Sequence, residues 1–223
     1  MNRAFDLIIV CVVIPIVLPL IAVIALSIKA TSSGPLFFRQ DRVGRQEKLF
    51  KVYKFRTMVD RAEDMGTSVT TRDDSRVTPL GKIFRRMKLD ELPQVINVFK
   101  GDMSLVGPRP DVPEIVRNYT PDMKEIFKIR PGITSEATLH LRDEEDILAK
   151  VDDPDTFYEN VLVPLKVKLA MEHVNRKSFS FDLRVLFKTL WMLILGRWCP
   201  IRERPEVTQL KESIAKGFYN HRK

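Results

Sequence analysis

Glycine, cysteine and histidine are all scarce in this sequence, and each scarcity closes a class of explanation. Nine glycines in 223 residues, with no long Gly, Ser or Gln tract, argue for an ordered chain. No internal repeat is visible. The two cysteines, Cys11 and Cys199, lie far apart in or beside apolar stretches, and no CxxC exists. A disulfide framework is therefore unsupported, and a reducing compartment fits better. His140, His173 and His221 are scattered without metal-ligand spacing, which argues against zinc. P-loop, GxGxxG and Ser/His/Asp signatures are missing too.

What is present is positive charge. Lys and Arg number 37 against 29 Asp and Glu, a formal net charge of +8. That excess favours an anionic partner: nucleic acid, anionic lipid or a phosphorylated small molecule. Aromatic residues do not interleave with the basic ones in a stacking pattern, so nucleic acid is not expected. The length admits one domain with a membrane element, or two small domains.

From Leu7 to Ile28 the chain reads LIIVCVVIPIVLPLIAVIALSI, without a charge. A bilayer needs about 20 apolar residues, so this run is long enough to cross. A signal peptide fits poorly, because its apolar core spans about 7–15 residues and a small-residue cleavage site follows. Pro15 and Pro19 fall on one helix face and predict a bend. A single crossing and a re-entrant helix–break–helix both satisfy the composition, and Arg3 and Lys29 give no flanking asymmetry. Near the other end, FDLRVLFKTLWMLILGRW (Phe181–Trp198) has Leu183, Leu186, Phe187, Leu190 and Ile194 at helical spacing. Arg184, Lys188 and Arg197 oppose a crossing. An interfacial helix, with Trp191 and Trp198 near the headgroups, and an ordinary core helix are the alternatives.

Between these ends, PLFFRQ reads as a short strand or a surface loop. FKVYKFRTM (Phe50–Met58) alternates as a strand. A charged helix is predicted over Val59–Met65, a polar loop over Thr67–Pro79 and a basic helix over Gly81–Lys88. Leu92, Val95, Ile96 and Phe99 recur as one helix face, with Pro93 in its first turn. Asp90 and Glu91 then stand at that helix's N-terminus. Capping is one reading. The other is chemical. Arg85, Arg86, Lys88, Lys100 and Arg109 crowd the pair, and such a cluster predicts two ionised acids. Ionised, they can bind Mg²⁺ or attack phosphorus. Arg109 in GPRP and Arg130 in IRPGIT sit on rigid turns suited to gripping phosphate. RDEEDILAKVDDPD from Arg142 reads as a solvated acidic helix and a loop, and Thr156–Val174 as a helix interrupted by Pro164.

KFRTM, LDELPQVINVFKGDMSLVGPRP, RPGIT and SFSFDLRVLFKTL, in this order behind an apolar segment, resemble the bacterial sugar transferases. More closely, they resemble the monotopic phosphoglycosyl transferases that begin glycan assembly on a polyprenol carrier. The likeness covers nearly the whole chain and looks like the family's minimal form. It implies a mostly α architecture with little β. Residues 1–30 would form a re-entrant hairpin, and 31–223 a membrane-associated catalytic domain with an interfacial helix near 180–198. It implies transfer of sugar-1-phosphate from a nucleotide-sugar donor, usually a UDP-sugar, to undecaprenyl phosphate, with release of UMP. By the same match Asp90 is the nucleophile, Glu91 its metal or proton partner, and Mg²⁺ the cofactor held there. Lys54, Arg56, Arg85, Arg109 and Arg130 would bind phosphate. The hairpin would break at Leu18-Pro19, where the family often has Ser-Pro. The implied place is the cytoplasmic face of the bacterial inner membrane, among its lipids, with a homodimer admitted. After RPGIT the chain departs from the family pattern: Ser135-Glu136-Ala137-Thr138 and His140-Leu141-Arg142 replace Gly-Trp-Ala-Gln and Asn-Gly-Arg, and an acidic insert follows. Rival readings are a non-catalytic, membrane-anchored basic lipid-binding module and a phosphohydrolase.

Overall fold

A computed structural model describes residues 2–66, 69–195 and 203–219. Expectations that fall on Arg197, Trp198, Cys199 and His221 lie outside the described residues. The described chain is mostly helical, with two small sheets, as the sequence implied.

Helix α1 (Arg3–Thr31) holds the apolar run. It is one helix, and the expected interruption at Leu18-Pro19 does not occur. Proline removes an N–H but its fixed φ is helical, so a long helix can absorb Pro15 and Pro19 without stopping. Its two ends are buried and its middle is not. Asp6 and Val10 are buried near the start, Ile24 and Ile28 near the end, whereas Ile16 is 74% exposed. Val10 packs beside Val98, Met103 and Val185; Ile24 and Ile28 pack beside Phe55 and Phe84. Both ends of α1 therefore sit against the same folded body.

Asp6 is the tightest of these fastenings. Its carboxylate accepts from the Ser104 hydroxyl at 2.9 and 3.0 Å and from the Leu105 N–H at 3.1 Å. Asp6→Ala would leave two buried donors unsatisfied and is expected to cost about 3 kcal/mol. Thermal melting in detergent checks this; an unchanged midpoint would mean that α1 is held by apolar packing alone.

Strands β1 (Phe37–Val43) and β2 (Leu49–Phe55) form an antiparallel hairpin. PLFFRQ thus enters a strand, and the second strand ends earlier than Met58. The charged helix expected over Val59–Met65 shrinks to a 3₁₀ turn at Ala62–Met65. Helix α2 (Pro79–Arg86) starts where Thr78 caps the Gly81 N–H and Pro79 takes the first turn. A Cβ on Gly81 would lie 2.0 Å from the Thr57 carbonyl oxygen, so glycine lets α2 rest on the chain just after β2.

Next come α3 (Val95–Lys100), β3 (Ser104–Val106), α4 (Pro113–Val116) and β4 (Gly132–Thr134), with β3 and β4 parallel. Helices α5 (Glu136–His140), α6 (Glu144–Leu148) and α7 (Pro154–Phe157) are short. A π turn (Tyr158–Leu162) leads into α8 (Val163–Arg176). Pro164 has no N–H to give to the preceding turn, and the wider turn accommodates that loss.

Helix α9 (Phe179–Leu195) packs one face into the core and leaves another exposed. Val185 is buried and Leu186 packs into the core, while Phe187, Leu190 and Trp191 are exposed. Helix α10 (Pro205–Ala215) closes the described chain, burying Val207, Leu210 and Ile214 against α6 and α7 residues such as Leu148 and Phe157.

Candidate active site

Asp90 and Glu91 do not start an α-helix. LDELPQ forms a 3₁₀ turn, Leu89–Gln94, entered through Lys88 in the left-handed region at φ 57°. Pro93 disfavours α geometry in the residue before it, so α3 begins only at Val95. Among the described residues, neither carboxylate accepts a bond from a helix N–H, and the capping reading is overturned. Both side chains are buried.

The turn is pinned to β2. Asn97, fully buried, accepts from the Tyr53 N–H at 3.0 Å and donates to the Lys51 carbonyl at 2.8 Å. That places Lys54 beside Glu91, with Nζ 3.1 Å from Oε1. Arg109, carried by the turn after β3, reaches the same carboxylate with both Nη atoms, at 2.5 and 3.2 Å. Such a fork is the strong form of a carboxylate contact.

The two acids are therefore unequal. Burial would push Glu91 up, but Arg109 and Lys54 outweigh it and hold its carboxyl well below the usual carboxylate range. Burial, then the neighbouring Glu91 charge, pushes Asp90 above its ordinary value, against Lys54, Lys88 and Arg85. The sequence predicted two ionised acids without distinguishing them; in the structure cations hold Glu91 directly, while Asp90 feels them at a distance. Asp90 Oδ1 is buried without a hydrogen-bond partner.

The expected phosphate ligands divide. Lys54 and Arg109 meet at Glu91. Arg85 lies close enough to Asp90 to lower its pKa, and its Nη2 pairs with Glu145 at 2.6 Å. Arg56 is buried further along and donates from Nη2 to the Ser32 carbonyl and hydroxyl at 3.0 and 2.8 Å, at the end of α1. Arg130 donates to the Gly101 carbonyl at 3.0 Å, at the end of α3 away from the dyad. The two Arg-Pro turns do touch, through Gly132 N–H to Pro108 C=O at 2.9 Å. Only one of them turns its guanidinium to the acids.

A divalent cation would find a free oxygen at Asp90, since both oxygens of Glu91 are engaged. No group of three or more candidate ligands occurs among the described residues. This donor set suits Mg²⁺, which is commonly held by one or two carboxylates with substrate phosphates and water.

The bacterial sugar transferase family model matches residues 1–196 of this chain. The chain belongs to that family. Three relatives show the range of similarity. The UDP-glucose:undecaprenyl-phosphate glucose-1-phosphate transferase of Escherichia coli is 35% identical over 195 residues, covering 86% of this chain and 39% of the relative. The UDP-N-acetylgalactosamine-undecaprenyl-phosphate N-acetylgalactosaminephosphotransferase of Aeromonas hydrophila is 33% identical, covering 87% and 44%. The sugar transferase EpsL of Bacillus subtilis, described as uncharacterized, is 34% identical and covered to 88% on both sides. The chain thus spans about two fifths of the first two sugar transferases, and most of EpsL.

Sequence reasoning missed Asn97 and a layer behind Arg109, while Lys88, which it did place beside the pair, bears on both acids. That layer contains Arg42, which donates to the Pro110 carbonyl at 3.0 Å, and Asp111, which accepts from the Tyr119 hydroxyl at 2.7 Å. Asn97 carried a signal: a lone amide lies inside the apolar stretch VINVF.

Proposed function

We propose that this sugar transferase moves sugar-1-phosphate from a UDP-sugar to undecaprenyl phosphate through a covalent aspartyl intermediate on Asp90. One observation carries the reading: a buried carboxylate oxygen without a partner stands beside an acid that two cations already neutralise. The activities for which the E. coli and A. hydrophila relatives are named supply the substrate class.

An Asp90 oxygen attacks the sugar-linked phosphorus. The bond from that phosphorus to the oxygen bridging to UMP breaks, and UMP leaves with the electron pair. An oxygen of the polyprenol phosphate then attacks the same phosphorus and returns the carboxylate. Glu91 stays charged throughout and fixes Lys54 and Arg109 in the pocket, so their positive charge faces the phosphoryl oxygens as they gain charge. Mg²⁺, held by Asp90, the donor's phosphates and water, would neutralise further charge on those phosphates.

The ends of α1 lie on one body while its middle is exposed and apolar. This supports a re-entrant arm that dips into the bilayer and returns, with the two prolines giving the bend. Ile83, Ile96, Phe99, Phe187 and Trp191 add exposed apolar groups, consistent with a monotopic protein on the cytoplasmic face, where nucleotide sugars are made. A purely lipid-binding module leaves the unpartnered Asp90 oxygen without a role.

Mixing detergent-solubilised protein with single UDP-sugars and reading intact mass tests the proposal. A mass gain of one phosphosugar with donor alone is expected; glycosylated acceptor without any adduct would refute it. The pH dependence follows from the upward shift of Asp90. Only its carboxylate attacks, so adduct formation is expected to fall with decreasing pH through a pKa above the ordinary Asp value of about 3.9. An acid limb at or below that value would contradict the environment assigned to Asp90.

A further inference from the structure

Arg109 sits between two prolines, and that setting limits how its backbone can be held. Pro108 and Pro110 each fix φ at about −65° and carry no N–H, so their carbonyls are the main-chain groups left to tie down. Both carbonyls are tied. Pro108 accepts from the Gly132 N–H of β4 at 2.9 Å, and Pro110 accepts from Arg42 Nη1 of β1 at 3.0 Å.

One residue outward on each side the chain is tied again. The Gly107 N–H donates to the Thr134 carbonyl, and the Asp111 carbonyl accepts from the Val43 N–H, each at 3.0 Å. The Asp111 carboxylate accepts from the Tyr119 hydroxyl at 2.7 Å. GPRPD is thus gripped by β4 on one side and by the end of β1 on the other. The Arg109 side chain then closes its fork on Glu91. Of the four main-chain ties, three run backbone to backbone. The fourth, on the residue next to Arg109, is made by a side chain.

A cation is a costly way to make that tie. Among the described residues the Arg42 Nη atoms meet only neutral oxygens: the Pro110 carbonyl and, at 2.6 Å, Gln40 Oε1. Burial lowers the Arg42 pKa, ahead of the opposing Asp111 charge. A hydrogen bond to Pro110 alone would need only a neutral donor. The guanidinium adds a rigid plane that can be held at both ends. Gln40 and Arg42 are two apart on β1 and share a face, so Gln40 fixes one Nη and with it the direction of the other.

We propose that Arg42, oriented by Gln40, is a positioning residue that fixes the Arg109 guanidinium against the phosphoryl group. The inference rests on the transferase reading and extends it outward from the dyad. Arg42 acts through the Pro110 carbonyl and does not itself bond either acid. Arg109 faces oxygens that gain charge only as the donor reacts. Loosening it therefore slows the step and leaves donor affinity nearly as it was.

The test is single-turnover adduct formation in full-length, detergent-solubilised protein. Intact mass follows it across concentrations of whichever UDP-sugar labels wild type, from a panel beginning with UDP-glucose and UDP-N-acetylgalactosamine. Arg42→Met is expected to lower the limiting rate about 10–100-fold, while the half-saturating donor concentration moves less than about threefold. Gln40→Met should lower the same rate by about fivefold, as one lost hydrogen bond would. In an Arg109→Lys background, Arg42→Met should cost less than about threefold, because the group it places is already gone. Melting curves establish that each variant is folded. Should Arg42→Met not fold, Arg42→Lys, which keeps one donor for Pro110, is expected to show a smaller loss of the same rate. A purely structural role would lower the melting temperature and leave the limiting rate of folded protein intact. That result, a loss confined to half-saturation, an unchanged rate in Gln40→Met, or losses that multiply with Arg109→Lys would each overturn the positioning role. Failure of the transferase reading looks different: wild type itself would form no adduct with any UDP-sugar.

Discussion

Replacing Asp90 by Asn is expected to abolish the phosphosugar adduct and, at the same time, to raise the thermal midpoint. The first effect follows from chemistry: an amide is not a competent nucleophile toward phosphorus, and loss of the covalent route should lower transfer by about a thousandfold or more. The second follows from the pocket. Asp90 is 8% exposed, has an oxygen without a partner and lies beside the Glu91 charge. Asn keeps the shape and removes the repulsion. A gain of about 1 kcal/mol, or about 2–4 °C in a chain of this size, is reasonable. Parallel intact-mass and melting measurements check both halves. A variant that loses activity and also loses stability would mean that Asp90 is a structural acid.

Arg109→Met is expected to have the opposite stability effect. The methionine fills much of the space but leaves Glu91 with Lys54 alone. Breaking a buried pair from one side typically costs about 3–5 kcal/mol. Arg109 is partly exposed at 32%, so the lower end, about 3 kcal/mol, is expected after solvent screening. Glu91→Gln in the same background should lower the midpoint further, because Lys54 then loses its carboxylate partner. The double variant's melting temperature decides this. If it melts above Arg109→Met, the Lys54 contact does not offset the buried Glu91 charge. Neither variant should approach wild-type transfer.

Local patterns were legible and partners were not. The alternation through Phe50, Val52 and Phe55 foretold β2, and Thr78-Pro79 marks the start of α2 with its own chemistry. The dyad's position was legible too, because two acids inside a basic stretch stand out. The inequality between them was hidden. It depends on Arg109 arriving from 18 residues away and Lys54 from 37, and sequence neighbours carry no record of such pairings. Arg85 looked free for the same reason, its partner Glu145 being 60 positions distant. Pro93 misled in a different way. It is compatible with a first α turn, but here the whole LDELPQ segment is 3₁₀, which turned both carboxylates away from the helix end. Arg130 and Arg109 sit in similar motifs, and only the tertiary fold decides which one faces the acids.

The burial pattern of α1 has a practical consequence for protein engineering. Deleting the first thirty residues to obtain a water-soluble fragment would strip Asp6, Val10, Ile24 and Ile28 from the interior and open fresh greasy surface on what remained. Solubilisation is better sought by keeping the helix and recoding its bare stretch, Ile16, Leu18 and Leu20, with polar side chains.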